Sequence, residues 1–198
     1  GLLISRAVGT STNSPGSDSI DVDFAQDMRV HHLQAVTMAG ITRDHTTDPE
    51  IHNLAFDIES TQLTQAGEMT GWLTSWVQPE LPPPDRAAMS WMRGSSGHGH
   101  GDITTSPNGV VRMPGMASPE ELSRLKSAAG KELDVLFLQL MLRHHQGAVP
   151  MAQYAIDHAG VGYVRDLAQK IVSSQTGEVT LMIKMLADRG AVPLPAPN

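Results

Sequence analysis

The 198-residue sequence contains no cysteine, which excludes disulfide bonds, thiolate zinc sites and iron–sulfur clusters. Aromatic residues make up only 4% of it, so a buried core has to be built mainly from aliphatic side chains and methionine. Positive charge is also scarce, because 14 Lys and Arg stand against 21 Asp and Glu for a net charge of -7. Nucleic acids and anionic membrane surfaces attract basic faces, so we expect neither as a partner.

The first 18 residues differ in composition from the rest of the chain. Residues 1–8 are mostly apolar, but this stretch is far shorter than the roughly 20 residues that a membrane span needs. Residues 10–17 are rich in Ser, Thr, Pro and Gly, as flexible tethers are. We interpret residues 1–18 as a tether or the remnant of a signal or anchor segment, which favours an extracytoplasmic location: secreted, periplasmic or tethered to the cell envelope. A frayed terminus of a cytosolic protein is the alternative.

Methionine and histidine are abundant, with 11 and 9 residues, and their positions follow an internal repeat. When residues 21–73 are aligned without gaps on residues 134–186, 20 of the 53 positions are identical. So many identities at one fixed offset of 113 indicate a duplicated structural unit. The identical pairs include a His-His motif with a methionine on each side, namely Met28/Met141, His31/His144, His32/His145 and Met38/Met151.

Each repeat is predicted to form a hairpin of two helices. In the first, Asp18 or Ser19 can cap a helix that runs to about residue 40, and Asp48-Pro49 begins the second. In the second, helices are predicted over about 131–158, with Pro150 expected to kink or loosen a turn, and about 163–189. We therefore expect an all-α, ferritin-like four-helix bundle with a long Pro/Gly-rich crossover that contains one short helix. The predicted segments are hairpins at 19–77 and 131–190, the crossover at 78–130, and a single bundle domain over 19–190.

The His-His motif and its methionines share one face of the first helix of each repeat. At 100° per residue, Met28, His31, His32 and Met38 fall within an arc of about 120°, and the second repeat reproduces the pattern. Imidazole nitrogen combined with thioether sulfur favours copper, above all Cu(I), whereas zinc makes little use of thioether. Neutral imidazole ligands are expected to lose affinity below about pH 6.5.

A purely structural interpretation stays open at this stage. Methionine on an apolar helix face is usually core filler, and a buried His pair could instead hydrogen-bond to Gln62 or Gln175 on the neighbouring helix. His45 and His158 are expected just past their helices, in capping or exposed positions. The crossover also offers accessory ligands or unrelated residues of a flexible linker, namely Met89, Met92, His98, His100, Met113 and Met116.

Two stretches of the sequence resemble a known signature. Residues 144–152 (HHQGAVPMA) and 31–39 (HHLQAVTMA) are similar to the signature of the ferritin-like family called domain of unknown function 305, and residues 113–122 (MPGMASPEEL) resemble its pre-helix stretch. The resemblance implies a four-helix bundle, usually exported or membrane-tethered, and some family members bind copper. It also implies that the eight His and Met residues of the two repeats are the ligands. Pro150 departs from the commoner pattern and puts the role of Met151 in doubt.

Three functions follow from these observations. The leading hypothesis is an extracytoplasmic protein that sequesters or carries copper, or confers resistance to it, with no substrate turned over. The second is a non-catalytic helical interaction domain in which the His pairs are structural contacts. The third is a ferritin-like metal oxidase, but such sites need Glu-x-x-His motifs, and the sequence contains none.

Overall fold

The computed structural model describes residues 14–92 and 112–197 and is all-helical over those ranges. The predicted helical-bundle fold is confirmed. Four long helices make up the bundle, and the described part of the crossover contains a short helix and a 3-10 turn. The helices are α1 (Ile20–His45), α2 (Pro49–Ser75), α3 (Pro119–Ser127), α4 (Gly130–His158) and α5 (Gly162–Asp188), and the 3-10 turn covers Ser90–Met92.

The helix boundaries follow from the caps in the sequence. Ser19 and Asp48 accept backbone N–H groups at the starts of α1 and α2, and Ser118 and Glu121 form a reciprocal capping box at the start of α3. The predicted end of α1 near residue 40 is wrong, because the helix continues to His45. The Nδ1 atom of His45 lies 2.7 Å from the carbonyl oxygen of Ile41 inside the last turn.

The hairpins α1–α2 and α4–α5 meet through α1 and α4, which run antiparallel. Their ends are fixed by two related contacts. Asp21, near the start of α1, accepts the backbone N–H groups of Gly160 and Val161 after α4. Its counterpart Asp134, near the start of α4, accepts the hydroxyl of Thr46 after α1. The two repeats therefore stand in a pseudo-twofold relation, with the midpoints of α1 and α4 crossing at the centre.

The core is divided into two apolar clusters, one toward each end of the bundle. The first contains Met38 of α1 with the N-terminal half of α4, and the second contains Met28 of α1 with the C-terminal half of α4. Trp91 and Met113 of the crossover belong to the second cluster. Because the apolar cluster changes midway along α1 and α4, whatever lies between the two clusters sits at the centre of the bundle.

Candidate metal centre

A layer of buried polar side chains lies between the two apolar clusters. All four paired histidines are fully buried, at 0% exposure. The imidazole rings of His31 and His144, one from each repeat, are only 3.8 Å apart between centroids. The two His pairs therefore converge in one place, which the sequence did not reveal. We call this set the histidine layer; its members are His31, His32, Gln62, Gln65, His144, His145, Gln175 and Glu178.

Each histidine of the layer is held through its Nε2 atom by an oxygen acceptor. His32 donates to Oε1 of Gln65 at 2.8 Å, and His145 donates to Oε2 of Glu178 at 2.5 Å. The other two donate to backbone carbonyls at 3.0 Å, His31 to Pro114 and His144 to His31 itself. A carbonyl or carboxylate oxygen only accepts hydrogen bonds, so each Nε2 carries the proton when the ring is neutral.

The other ring nitrogen of each histidine is left without a partner. Among the described residues, no group hydrogen-bonds to Nδ1 of His31, His32, His144 or His145, although all four atoms are buried. With the proton on Nε2, each Nδ1 presents a lone pair to the interior. Buried polar atoms are nearly always satisfied, and four unsatisfied lone pairs in one layer are the arrangement that metal-binding imidazoles adopt, with the second nitrogen fixed by an acceptor.

Burial lowers the pKa of three histidines of the layer, His31, His32 and His144. Desolvation lowers the pKa of His31 to about 4, against the opposing hydrogen bond to the Pro114 carbonyl. Desolvation, reinforced by the neighbouring His31, lowers the pKa of His32 to about 3. The pKa of His144 is likewise held well below its ordinary value by burial. Protons therefore compete for the ring nitrogens of these three histidines only at lower pH than the 6.5 expected from the sequence.

The amide pair Gln62 and Gln175 lies in the layer without hydrogen-bond partners. Both side chains are almost fully buried, and within the described ranges neither the amide oxygen nor the amide nitrogen of either residue is bonded. The alternative in which a His pair bonds to Gln62 or Gln175 is not observed among the described residues. The acceptors are Gln65 and Glu178, one helical turn further along α2 and α5.

The four methionines that flank the His pairs are all fully buried, at 0% exposure. The sequence pattern suggested that the two methionines of one repeat would lie together, but the structure does not group them in this way. Met28 and Met151 lie in one apolar cluster, and Met38 and Met141 lie in the other. Each end of the histidine layer is thus bordered by one methionine from each repeat. Helix α4 is continuous through Pro150, and Met151 is as buried as its counterpart Met38.

The described methionines of the crossover are packed against the bundle. Met113 is buried in the cluster that holds Met28 and Met151, and the partly buried Met89, Met92 and Met116 pack against that cluster. The expectation that these four methionines lie on a loose linker is therefore wrong, and their role as accessory ligands stays a prediction. The accessory candidates His98 and His100 lie outside the described residues.

The segment around Pro114 is pressed tightly onto α4. A Cβ on Gly147 would lie 2.0 Å from the Pro114 carbonyl oxygen, and a Cβ on Gly115 would lie 2.4 Å from the carbonyl oxygen of Arg143. Gly115 also has a φ of +79°, which favours glycine. Two glycines thus let the backbone of the crossover reach His31, and the Pro114 carbonyl fixes its ring.

No three-residue ligand set of the ordinary kind is preformed. Within residues 14–92 and 112–197, no group of three or more His, Asp or Glu side chains is placed to hold one metal ion. Copper in this layer would therefore combine imidazole nitrogen with thioether sulfur, or bind after a small shift of the rings. Met28 and Met141 lie one helical turn before their His pairs, on the same face of the helix.

Sequence reasoning missed Gln65 and Glu178. They occupy equivalent positions at the offset of 113, but they differ in identity and therefore did not appear among the matching pairs. The one signal available was the helical periodicity of α2 and α5, in which both lie three residues after the identical pair Gln62 and Gln175.

Comparison with known proteins identifies the family. The family model Domain of unknown function (DUF305) matches residues 21–186. The chain belongs to the DUF305 family. No curated protein matches the chain. None of the described helices is long and apolar enough to cross a bilayer.

Several solved structures share the fold. A DUF305 protein from Streptomyces coelicolor, provisionally named a secreted protein, is 40% identical, with 91% of this chain and 99% of that chain covered and a TM-score of 0.79. A DUF305 fragment from Deinococcus radiodurans is 32% identical, with 85% and 96% covered and a TM-score of 0.67. CopM in its Cu(II)-bound form is 26% identical, with 85% and 96% covered and a TM-score of 0.61.

Proposed function

We propose that this DUF305 protein is an extracytoplasmic copper-binding protein that sequesters or carries Cu(I) and turns over no substrate. The observation that carries the proposal is the histidine layer, in which four buried imidazoles hold their protons on Nε2 and direct unpartnered Nδ1 lone pairs inward. A layer with only a structural role would be expected to satisfy these atoms, because an unsatisfied buried acceptor costs about 1–3 kcal/mol.

The chemistry of the available donors favours a soft ion. Neutral imidazole and thioether are the donors next to the layer, and this combination suits Cu(I) better than hard cations, which need several oxygen ligands. The burial of both donor types also excludes water, which limits oxidation of a bound Cu(I) ion. Burial lowers the pKa values of His31 and His32 to about 4 and about 3. Both rings are therefore neutral at neutral pH, and their Nδ1 atoms carry no proton.

Two of the similar structures support the proposal from outside the chain. CopM, at 26% identity, was solved in a Cu(II)-bound form, which makes copper binding a reasonable expectation for a related bundle. The Streptomyces coelicolor protein carries a secreted designation at 40% identity. This supports an extracytoplasmic location, where copper is scavenged or delivered without the cysteine-rich sites of reducing compartments.

An anaerobic Cu(I) titration against a chromophoric chelator tests the proposal. The variant His31→Gln, His32→Gln, His144→Gln and His145→Gln should lose tight binding, while circular dichroism reports whether the helices persist. Because the rings of His31 and His144 lie together, changing only the first pair should remove more than half of the tight binding.

Two exposed histidines provide the matched control. The double variant His45→Gln, His158→Gln replaces the last residues of α1 and α4. The Nδ1 atoms of these two histidines bond to backbone carbonyls in the same helix. This double variant should bind Cu(I) as the unaltered protein does. If a folded quadruple variant bound Cu(I) with unchanged stoichiometry and affinity, the proposal would be wrong.

A further inference from the structure

The residues that make up the histidine layer are identical in the two repeats except at one pair of positions. Residues 65 and 178 are equivalent in the duplication, and each accepts a hydrogen bond from the second histidine of its own repeat. In the first repeat the acceptor is the neutral amide of Gln65, 2.8 Å from Nε2 of His32. In the second it is the carboxylate of Glu178, 2.5 Å from Nε2 of His145.

Glu178 supplies the negative charge nearest to the buried ring nitrogens. Among the described residues it is the only acidic side chain in hydrogen-bond contact with the four histidines. Its side chain is mostly shielded, with 22% exposure, and its partner His145 is fully buried. The other members of the layer are imidazoles and amides, so the carboxylate of Glu178 is not cancelled by a cationic Lys or Arg within the layer.

A cation placed in such a layer needs a countercharge. Burial of an ion without a compensating charge is costly, because the low dielectric of the interior cannot replace its hydration. One carboxylate neutralises one unit of positive charge, so a monovalent ion leaves the layer neutral and a divalent ion leaves it with an excess of one. The attraction also scales with the charge of the ion, so it counts twice as much for Cu(II) as for Cu(I).

We infer that Glu178 sets the oxidation state of copper that the histidine layer prefers, by acting through His145 as its single countercharge. This inference rests on the proposed function and goes beyond it, because it assigns charge selectivity to one residue that is not itself a ligand. Because Gln65 on the opposite side is neutral, the carboxylate of Glu178 alone shifts the preference of the layer toward the more highly charged Cu(II), and a second carboxylate would shift it further.

The duplication suggests which substitutions to make, because each repeat shows the side chain that fits the equivalent position of the other. Gln65 shows that an amide at this position accepts the Nε2 proton of the histidine, so Glu178→Gln should keep the ring orientation and remove only the charge. The reciprocal variant Gln65→Glu adds a second carboxylate beside His32. The double exchange restores a single charge on the opposite side of the layer.

The experiment measures Cu(I) affinity anaerobically and Cu(II) affinity aerobically by chelator competition on the full chain of each variant. Glu178→Gln should weaken Cu(I) binding roughly tenfold and Cu(II) binding roughly a hundredfold, as one unit charge several ångströms away would. The selectivity then shifts about tenfold toward Cu(I), and the reduction potential of bound copper rises by about 59 mV. Gln65→Glu should shift both quantities in the opposite direction.

The outcomes separate charge from shape. A Glu178→Gln variant that weakens both oxidation states by the same factor would overturn the inference, because lost geometry affects both ions alike. Unchanged affinities in both variants would overturn it as well. If the unaltered protein shows no histidine-dependent Cu(I) binding, the proposed function fails instead, and the two failures are distinguishable in the same titration.

Discussion

The two repeats share their candidate ligands but differ in what surrounds them. The His pairs and flanking methionines are identical at the offset of 113, whereas several neighbouring positions have diverged, among them Asp27 against Leu140, Gln34 against Gly147, and Gln65 against Glu178. At the first two positions, Asp27 and Gly147 contact the crossover. At the third, Glu178 brings an acidic side chain into the histidine layer. A duplicated bundle can thus keep one chemistry while each copy acquires a separate task.

In the first repeat, Asp27 fastens the crossover to α1. Its buried carboxylate accepts from the guanidinium of Arg86, the indole N–H of Trp91 and the backbone N–H of Met89, at 2.7, 2.8 and 2.9 Å. The equivalent Leu140 is an ordinary core residue. In the second repeat the corresponding adaptation is Gly147, whose missing side chain admits the backbone of Pro114.

The largest effect should come from breaking the Asp27 attachment. Asp27→Ala removes one of the two carboxylates paired with the largely buried Arg86, the other being that of Asp23. It also leaves two N–H donors unsatisfied, so it should lower the free energy of unfolding by about 3–5 kcal/mol. Urea denaturation measures the change. Asp44→Ala, which removes an exposed partner of Arg43, should have little effect, and an equal loss in both variants would contradict the assigned role of Asp27.

The next largest effect should come from filling the space at Gly147. In Gly147→Ala the new Cβ would collide with the backbone of Pro114, so we expect a loss of roughly 2–4 kcal/mol in unfolding free energy and displacement of the carbonyl that holds His31. Gly177→Ala is the matched control, because a Cβ there meets nothing within 4 Å. It should be neutral or stabilising by up to about 1 kcal/mol, and the idea of a close crossover contact fails if both variants behave alike.

The buried imidazoles should make the metal-free protein sensitive to mild acid. The unfolded chain protonates His31 near pH 6.5, but burial lowers the pKa in the folded state to about 4. The stabilisation is therefore fully present above pH 6.5 and is lost as the pH falls toward 4. When the pH is lowered from 7 to 5, the free energy of unfolding of His31→Gln should fall by roughly 2 kcal/mol less than that of the unaltered protein. Denaturation with a chelator present measures this, and identical pH slopes would refute it.

A smaller effect is expected at the unpartnered amides of the layer. Gln62→Met and Gln175→Met replace buried polar groups that have no hydrogen bonds in the described part of the chain with apolar side chains of similar size. Each should stabilise the metal-free protein by about 1 kcal/mol, because the desolvation cost of the amide disappears. Thermal unfolding of both variants checks this, and a clear destabilisation would show that the amides are satisfied in solution.

Much of the fold was predictable because local signals agreed with tertiary packing. Asp48-Pro49 and the capping box at Ser118 placed two helix starts, and the 113-residue offset predicted paired hairpins. The end of α1 was misplaced because Gly40 suggested a C-terminus, whereas nothing in the packed helix requires one there. Helical periodicity correctly placed the His pairs and the flanking methionines on a buried face.

The assembly of the candidate site could not be read from periodicity. Whether the two His pairs meet depends on the antiparallel packing of α1 against α4, and this is fixed by long-range contacts such as Asp21 with Val161. The same packing places Met28 in one apolar cluster with the methionine of the other repeat, Met151. Glu178 escaped notice because a search for identities between repeats passes over the position where the repeats differ.

Ring-nitrogen NMR of ¹⁵N-histidine-labelled protein during titration with Ag(I), a diamagnetic stand-in for Cu(I), tests the central claim most directly. We expect the Nδ1 resonances of the histidine layer to shift while the Nε2 atoms stay protonated. The ring-nitrogen resonances of His45 and His158 should not change. Binding through Nε2 would contradict the account. So would the absence of any shift at His31, His32, His144 and His145 while Ag(I) binds elsewhere.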